Sequence, residues 1–262
     1  MKPPLTYYGG KQMLSKLIVS LIPKHNLYCE PFFGGGAVFF AKEPSNVEVI
    51  NDTNGHLINF YKEIKTNFKK LDVEIRNTLH SREHHQAARI VLSYPQLFNE
   101  TKRAWAIWTL ANQSFASKLN GSWGYEKKEN KSAIQLNSKR NAFSKVYAER
   151  LEKVQIECRD ALEVIRAFDS KDTFFYLDPP YFNSNMGHYK GYTEEDFEKL
   201  LIVLSKIKGK FLLSSYPSDT LTKYTTKYEW VSKRIRKQIA VCLEPNGKRK
   251  NKLEVLTSNY SL

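Results

Sequence analysis

Residues 173–177, Thr-Phe-Phe-Tyr-Leu, run apolar without a break into Asp178-Pro179-Pro180-Tyr181. β-Branched and aromatic side chains with no polar alternation mark a strand buried on both faces, as parallel sheets require. Parallel strands need crossover connections, so this one run commits the chain to an α/β sheet. Asp178 falls at the carboxyl end of that strand, the edge where open α/β sheets hold their ligands. Taken alone, the tetrapeptide reads either as a site or as a Pro-Pro turn packed on a tyrosine.

The rest of the chain has two textures. Over residues 26–60 and from 154 onward, short apolar runs alternate with helical patterns, as in β-α-β units. Residues 62–153 are polar and helix-patterned around Trp105, Trp108, Leu110 and Phe115, with no strand signal before 121–125. This predicts a helical insertion at 62–153 within a sheet domain made of 1–61 and 154–262. No repeat, low-complexity tract or Pro/Gly/Ser linker separates the two.

Two more segments resemble ligand loops. A strand over 27–29 leads into Glu30-Pro31, then Gly34-Gly35-Gly36 and a helix expected from Ala37. Glycines allow close backbone approach and a helix start favours anions, although the spacing is not GxGxxG and a tight turn explains it as well. The next strand, 47–51, ends at Asp52, where dinucleotide folds place an acid for ribose hydroxyls; a helix N-cap is the bland alternative. Thr6-Tyr7-Tyr8-Gly9-Gly10-Lys11-Gln12 reads as an ordinary turn unless a ligand is near.

Charge narrows the partners. The chain has 262 residues, with 41 Lys plus Arg against 27 Asp plus Glu, a formal +14, which favours a polyanion. Lys118, Lys127, Lys128, Lys131, Lys139 and Arg140 interleave with Trp123 and Tyr125, and a second basic group flanks an expected Asn246-Gly247 hairpin. Cations mixed with stacking rings suit nucleic acid better than a membrane surface. No apolar stretch reaches membrane length and no signal pattern starts the chain, so a soluble intracellular protein is expected. Cys29, Cys158 and Cys242 are scattered as reduced thiols, and His84-His85 reads as a solvated helix face, so no metal is expected.

Together, YYGGK, EPFFGGGAVF, NDTN and LDPPY occur in the order and at the separations of the Dam-like DNA N6-adenine methyltransferases, which the chain resembles over most of its length. The resemblance implies a Rossmann-like class I methyltransferase sheet with an inserted, mainly helical target-recognition subdomain carrying a β-hairpin. It implies S-adenosyl-L-methionine as cofactor, transfer without a metal or covalent intermediate, and a flipped-out adenine in double-stranded DNA. By position, Tyr7, Lys11, Pro31, Phe32, Gly34, Gly36, Asp52 and Asp160 would meet the cofactor, though helix capping also accounts for Asp160. Asp178, Pro179, Pro180 and Tyr181 would form the catalytic pocket, with Asp178 bordering the cofactor too. In the insertion, a hairpin over 118–129 would place Lys118, Asn120, Ser122, Trp123, Tyr125, Lys127 and Lys128 on DNA, Trp123 either intercalating or anchoring the hairpin. This segment departs from the arginine-rich pattern of GATC readers, so no target sequence follows. The loop 182–192 is expected to act as a lid or to be plain surface. The resemblance implies a cytoplasmic protein of a bacterium or phage-infected cell, a monomer or weak dimer, either with a cognate restriction nuclease acting separately or as an orphan enzyme. The competing readings are a glutamine or RNA methyltransferase, and a non-catalytic DNA-binding protein on the same fold.

Overall fold

The structure, a computed structural model, describes residues 1–7, 9–183, 191–243 and 249–262, and no side chain within 237–252. Seven strands form one sheet: β1 (Leu27–Glu30), β2 (Val47–Asn51), β3 (Gln155–Glu157), β4 (Thr173–Leu177), β5 (Lys210–Ser215), β6 (Val231–Leu243) and β7 (Arg249–Ser258). Their order is β3-β2-β1-β4-β5-β7-β6. The β1/β4 and β4/β5 pairs are parallel, and β7 runs antiparallel to both β5 and β6. This is the expected Rossmann-like α/β sheet, and all five residues of β4 are buried, as its unbroken apolar run requires.

Ten α-helices accompany it among the described residues: α1 (Ser15–Ser20), α2 (Gly55–Thr66), α3 (Phe68–Arg76), α4 (Arg82–Ser93), α5 (Glu100–Gln113), α6 (Lys131–Ala142), α7 (Val146–Leu151), α8 (Ala161–Ala167), α9 (Glu194–Leu204) and α10 (Asp219–Tyr228). None is long and apolar enough to cross a membrane. The chain divides into two compact units. The first comprises Met1–Ser20, Phe33–Pro44 and Ile50–Arg159, and the second Leu21–Phe32, Ser45–Val49 and Asp160–Leu262.

In the second unit the period-2 alternation of strands sorts side chains by face. Phe175 and Leu177 of β4, Leu213 of β5 and Val255 of β7 join Val164, Phe197, Leu200 and Leu204 from α8 and α9 in one apolar core. The opposite parity brings Phe174 against Tyr28, at 6.0 Å between rings, and Tyr176 against Ser214, at 3.1 Å. The start of α9 is fixed by a capping box in which Thr193 and Asp196 each bond the other's backbone amide.

The first unit is helical around α5, whose Trp105, Ile107, Trp108, Leu110 and Ala111 are all buried. Trp105 satisfies its indole N–H on Thr78 Oγ1 at 2.7 Å. Two expectations need correction in this unit. No regular helix begins at Ala37: residues 37–42 form successive turns, with the Val38 carbonyl accepting from both Ala41 and Lys42 amides. Val38, Phe39 and Phe40 are all buried, and a one-faced helix spreads consecutive side chains about 100° apart. His84-His85 is not a solvated face either, since His85 is buried and its Nε2 lies 2.9 Å from Ser114 Oγ.

Candidate active site

Consider first the glycine loop of the first unit. Gly34 (φ +50°) and Gly36 (φ +66°) are left-handed, a conformation only glycine adopts cheaply. A Cβ at Gly35 would lie 2.8 Å from the Tyr7 Cβ, and one at Gly36 would lie 2.5 Å from the Phe33 ring. The loop is therefore packed flat on Tyr7 and Phe33. It is pinned by the Tyr61 hydroxyl donating to the Gly34 carbonyl (2.8 Å) and by Phe33 N donating to the Asn51 carbonyl (2.9 Å).

Asp52 is held to this loop through main chain. Its Oδ2 accepts from Gly34 N and its Oδ1 from Asn54 N, each at 2.9 Å. The helix N-cap that competed for Asp52 belongs instead to Asn54, whose Oδ1 accepts from His56 and Leu57 amides at the start of α2. Burial raises the Asp52 pKa and outweighs the lowering by the two amide bonds, Asn54 first and then Gly34. The nearby Tyr7 phenol is pushed up to about 12, by burial first and then by the Asp52 charge. One step back along β2, Asn51 is fully buried and pairs like a peptide: its amide donates to the Arg159 carbonyl (3.0 Å) and accepts from the Arg159 amide (2.9 Å). Lys11 precedes α1 rather than starting it. It is buried, with Nζ 3.5 Å from the Gly9 carbonyl.

The second unit carries the acid at the end of β4. Pro179 is buried, and Asp178 and Pro180 are half-buried. The Tyr181 hydroxyl lies 3.1 Å from Asp178 Oδ1 and 3.0 Å from Glu254 Oε1 on β7. Its ring meets Tyr216 edge-on at 4.4 Å between centroids. Burial, then the charges of Asp178 and Glu254, push the Tyr181 phenol far above its ordinary range, so it stays a hydrogen donor. Pro31 is buried, and Phe32 packs against the apolar core of this unit. Asp160 is the N-cap of α8, its Oδ1 accepting from Leu162 and Glu163 amides at 2.9 and 3.3 Å. After Tyr181, Phe182 packs on Phe197 and Asn183 donates to the Pro217 carbonyl. The rest of the expected lid lies largely at 184–190, outside the described residues, as does the Asn246-Gly247 turn.

The expected hairpin of the insertion is shorter and differently centred. A single antiparallel bridge joins Ser114 to Trp123, flanked by bonds from Phe115 N to Ser122 O and from Gly124 N to Gln113 O. The turn lies between Phe115 and Ser122, with Ala116 and Ser117 both left-handed, so 118–129 holds only one arm. Glycine and serine supply too little side chain for a longer ladder. Trp123 anchors that arm: its Nε1 donates to Gln113 Oε1 (3.3 Å), His80 and Tyr125 lie against it at 5.0 and 5.5 Å, and Arg82 sits 4.8 Å from its ring centre. Asn120, Ser122, Tyr125, Lys127 and Lys128 are exposed, and Lys118 is half-buried. Of the wider basic group, Lys139 donates to Asn112 and Arg140 to the Thr78 carbonyl.

Asn51, Tyr61 and Glu254 take part in this geometry without having been singled out in the sequence. Glu254 alone left a trace there, as an acid inside the apolar run Leu253-Glu254-Val255-Leu256. No group of three or more His, Cys, Asp or Glu among the described residues is placed to hold a metal ion.

The family model described as D12 class N6 adenine-specific DNA methyltransferase matches residues 7–239. Type II methyltransferase M1.LlaDCHI of Lactococcus lactis subsp. cremoris is 30% identical over 251 residues, 85% of this chain and 84% of that protein. Type II methyltransferase M.MjaIII of Methanocaldococcus jannaschii is 28% identical over 294 residues, 99% of each chain.

Proposed function

Because the chain belongs to the D12 class of N6 adenine-specific DNA methyltransferases, we propose that its target adenine is swung out of the duplex and held by Asp178, Pro179 and Tyr181. The activity itself is methylation of adenine N6 in DNA, with S-adenosyl-L-methionine as cofactor. When bound, that cofactor supplies a methyl group made electrophilic by its sulfonium.

An exocyclic adenine amine is a weak nucleophile, because its lone pair is delocalised into the ring. Asp178 and the Pro179 carbonyl each accept one amine hydrogen, which draws the nitrogen toward tetrahedral geometry and directs the lone pair outward. Proline rings fix the backbone so that this carbonyl does not swing away. The Tyr181 ring offers a stacking face in return for the few kcal/mol that unstacking a base costs. The observation that carries this reading is the Tyr181 hydroxyl within hydrogen-bond distance of Asp178 Oδ1, which locks the ring and the acid into one unit.

The glycine loop suits the cofactor. Asp52 uses one lone pair of each oxygen on an amide, and a carboxylate has about four acceptor sites, which leaves room for a vicinal ribose diol. Gly34 and Gly36 lie on Tyr7 and Phe33, where an added Cβ would meet those rings, so glycine alone lets the loop keep its close turn beside Asp52. Tyr7, Lys11, Pro31 and Phe32 complete the proposed cofactor set. Asp160 caps α8, and its place in the cofactor set follows from the family resemblance.

On the DNA side, exposed Asn120, Ser122, Tyr125, Lys127 and Lys128, with Lys118, form the proposed recognition surface; Trp123 acts as the anchor rather than the wedge. Incubating the protein with duplex DNA and methyl-labelled cofactor, then digesting to nucleosides, should put the label in N6-methyladenosine at one recurring sequence. Enhanced 2-aminopurine fluorescence at that target position is the expected sign of flipping. Label in transfer RNA or protein instead would overturn the reading.

A further inference from the structure

A phenol has one hydrogen, yet the Tyr181 hydroxyl has carboxylate oxygens on two sides, Asp178 Oδ1 at 3.1 Å and Glu254 Oε1 at 3.0 Å. Whatever else the two acids accept, only one of these contacts can hold that hydrogen. While both acids are ionised, the other contact sets lone pair against lone pair. A single added proton repairs it: one carboxyl then donates to the phenol oxygen, and the phenol donates to the other.

Strand alternation supplies the setting. Glu254 is buried, at 4% exposure, and stands opposite Ile235 of β6. Facing the same phenol are Tyr176 of β4, bonded to Ser214 of β5, and the ring of Tyr216. Glu30 at the end of β1 is the third acid felt by Tyr176, and it accepts from Tyr28 at 2.9 Å. Burial first, and these acids next, push the Tyr176 and Tyr181 phenols upward, so both remain protonated while the carboxyls exchange the proton.

We propose that Glu254 is a positioning residue for methyl transfer, sharing through Tyr181 the proton that the methylated amine gives to Asp178. This rests on the role given above to Asp178. For each methyl gained, the adenine amine must lose one N–H proton. That proton passes to an Asp178 oxygen; Asp178 then donates to the phenol oxygen of Tyr181 as the phenol hydrogen is donated to Glu254. The pair ends with one proton and one negative charge instead of two, and no group is oxidised or reduced.

Glu254→Gln is the decisive variant, because its amide donates to Tyr181 and frees the phenol hydrogen for Asp178 without any added proton. Single-turnover methylation should slow about tenfold, and the acid limb of its pH–rate profile should move to lower pH by about one unit, since Asp178 gains a hydrogen bond and loses a charged neighbour. Cofactor and DNA affinities should stay within about twofold. Tyr181→Phe, which removes the bridge itself, should abolish the effect of Glu254→Gln, so that the double variant keeps the acid limb of Tyr181→Phe alone. An acid limb unmoved in Glu254→Gln would overturn the proposal and leave Glu254 a structural clasp. Asp178→Ala separates the two levels. If it stays active, the pocket reading itself fails. If it is inactive while the Glu254→Gln profile is unmoved, only the inference about Glu254 fails.

Discussion

Asp52 and Asp178 are both acids one residue beyond a buried strand, and they are held in opposite ways. Asp52, in the first unit, is fixed by two backbone amides, which no side-chain substitution elsewhere removes. Asp178, in the second, is met by a tyrosine hydroxyl that also meets another acid. Main-chain donors hold a charge still, which suits the ribose acceptor proposed for Asp52. A shared phenol lets a proton change owners, which suits the place beside the reacting amine proposed for Asp178.

Breaking the movable acid should have the largest effect. Asp178→Ala is expected to lower the methylation rate at least a hundredfold, the scale of one positioned hydrogen bond in a dry site, while DNA binding by gel shift stays intact. Next comes the fixed loop. Gly36→Ala must place a Cβ 2.5 Å from the Phe33 ring at positive φ, so thermal unfolding should show a loss of about 2 kcal/mol together with weaker cofactor binding. Sharpening the contrast between the acids is a pH titration of cofactor affinity by calorimetry. The Asp52 pKa is raised, so its charge is present above that value and lost as pH falls through it. Affinity should therefore decline at a higher pH than an ordinary aspartate would dictate, and Asp52→Asn should flatten the profile at about tenfold weaker binding. Smallest is the surface effect. Replacing Lys127 and Lys128 by alanine should weaken DNA binding across all sequences and reduce the slope of log affinity against log salt by about 2.

Much of the fold was legible because of β4: a β-branched threonine followed by four apolar residues at strand length fits a sheet covered on both sides. Asp52 and Asp178 were legible for a related reason, as acids that end strands. Glu254 was not, since its significance depends on β7 pairing antiparallel with β5, a contact between residues some forty positions apart. The turns after Gly36 were misread as a helix because glycine followed by apolar residues looks alike in both, and only the burial of Val38, Phe39 and Phe40 together separates them. The insertion hairpin was placed too late along the chain, because the first arm, Gln113 to Phe115, continues directly from a helix and carries no strand signature.

One small fastening has a wider consequence. Asn51 mimics a strand neighbour by exchanging two bonds with the backbone of Arg159, where the polypeptide comes back after more than a hundred residues. Asp52 beside it is thus indexed to the homecoming of the chain through Asn51 and to the first residues of the excursion through Asn54. On the roles proposed above, exchanging only the part of that excursion beyond α2 should alter sequence preference while Asp52, Asn54 and Tyr61 keep the glycine loop in place.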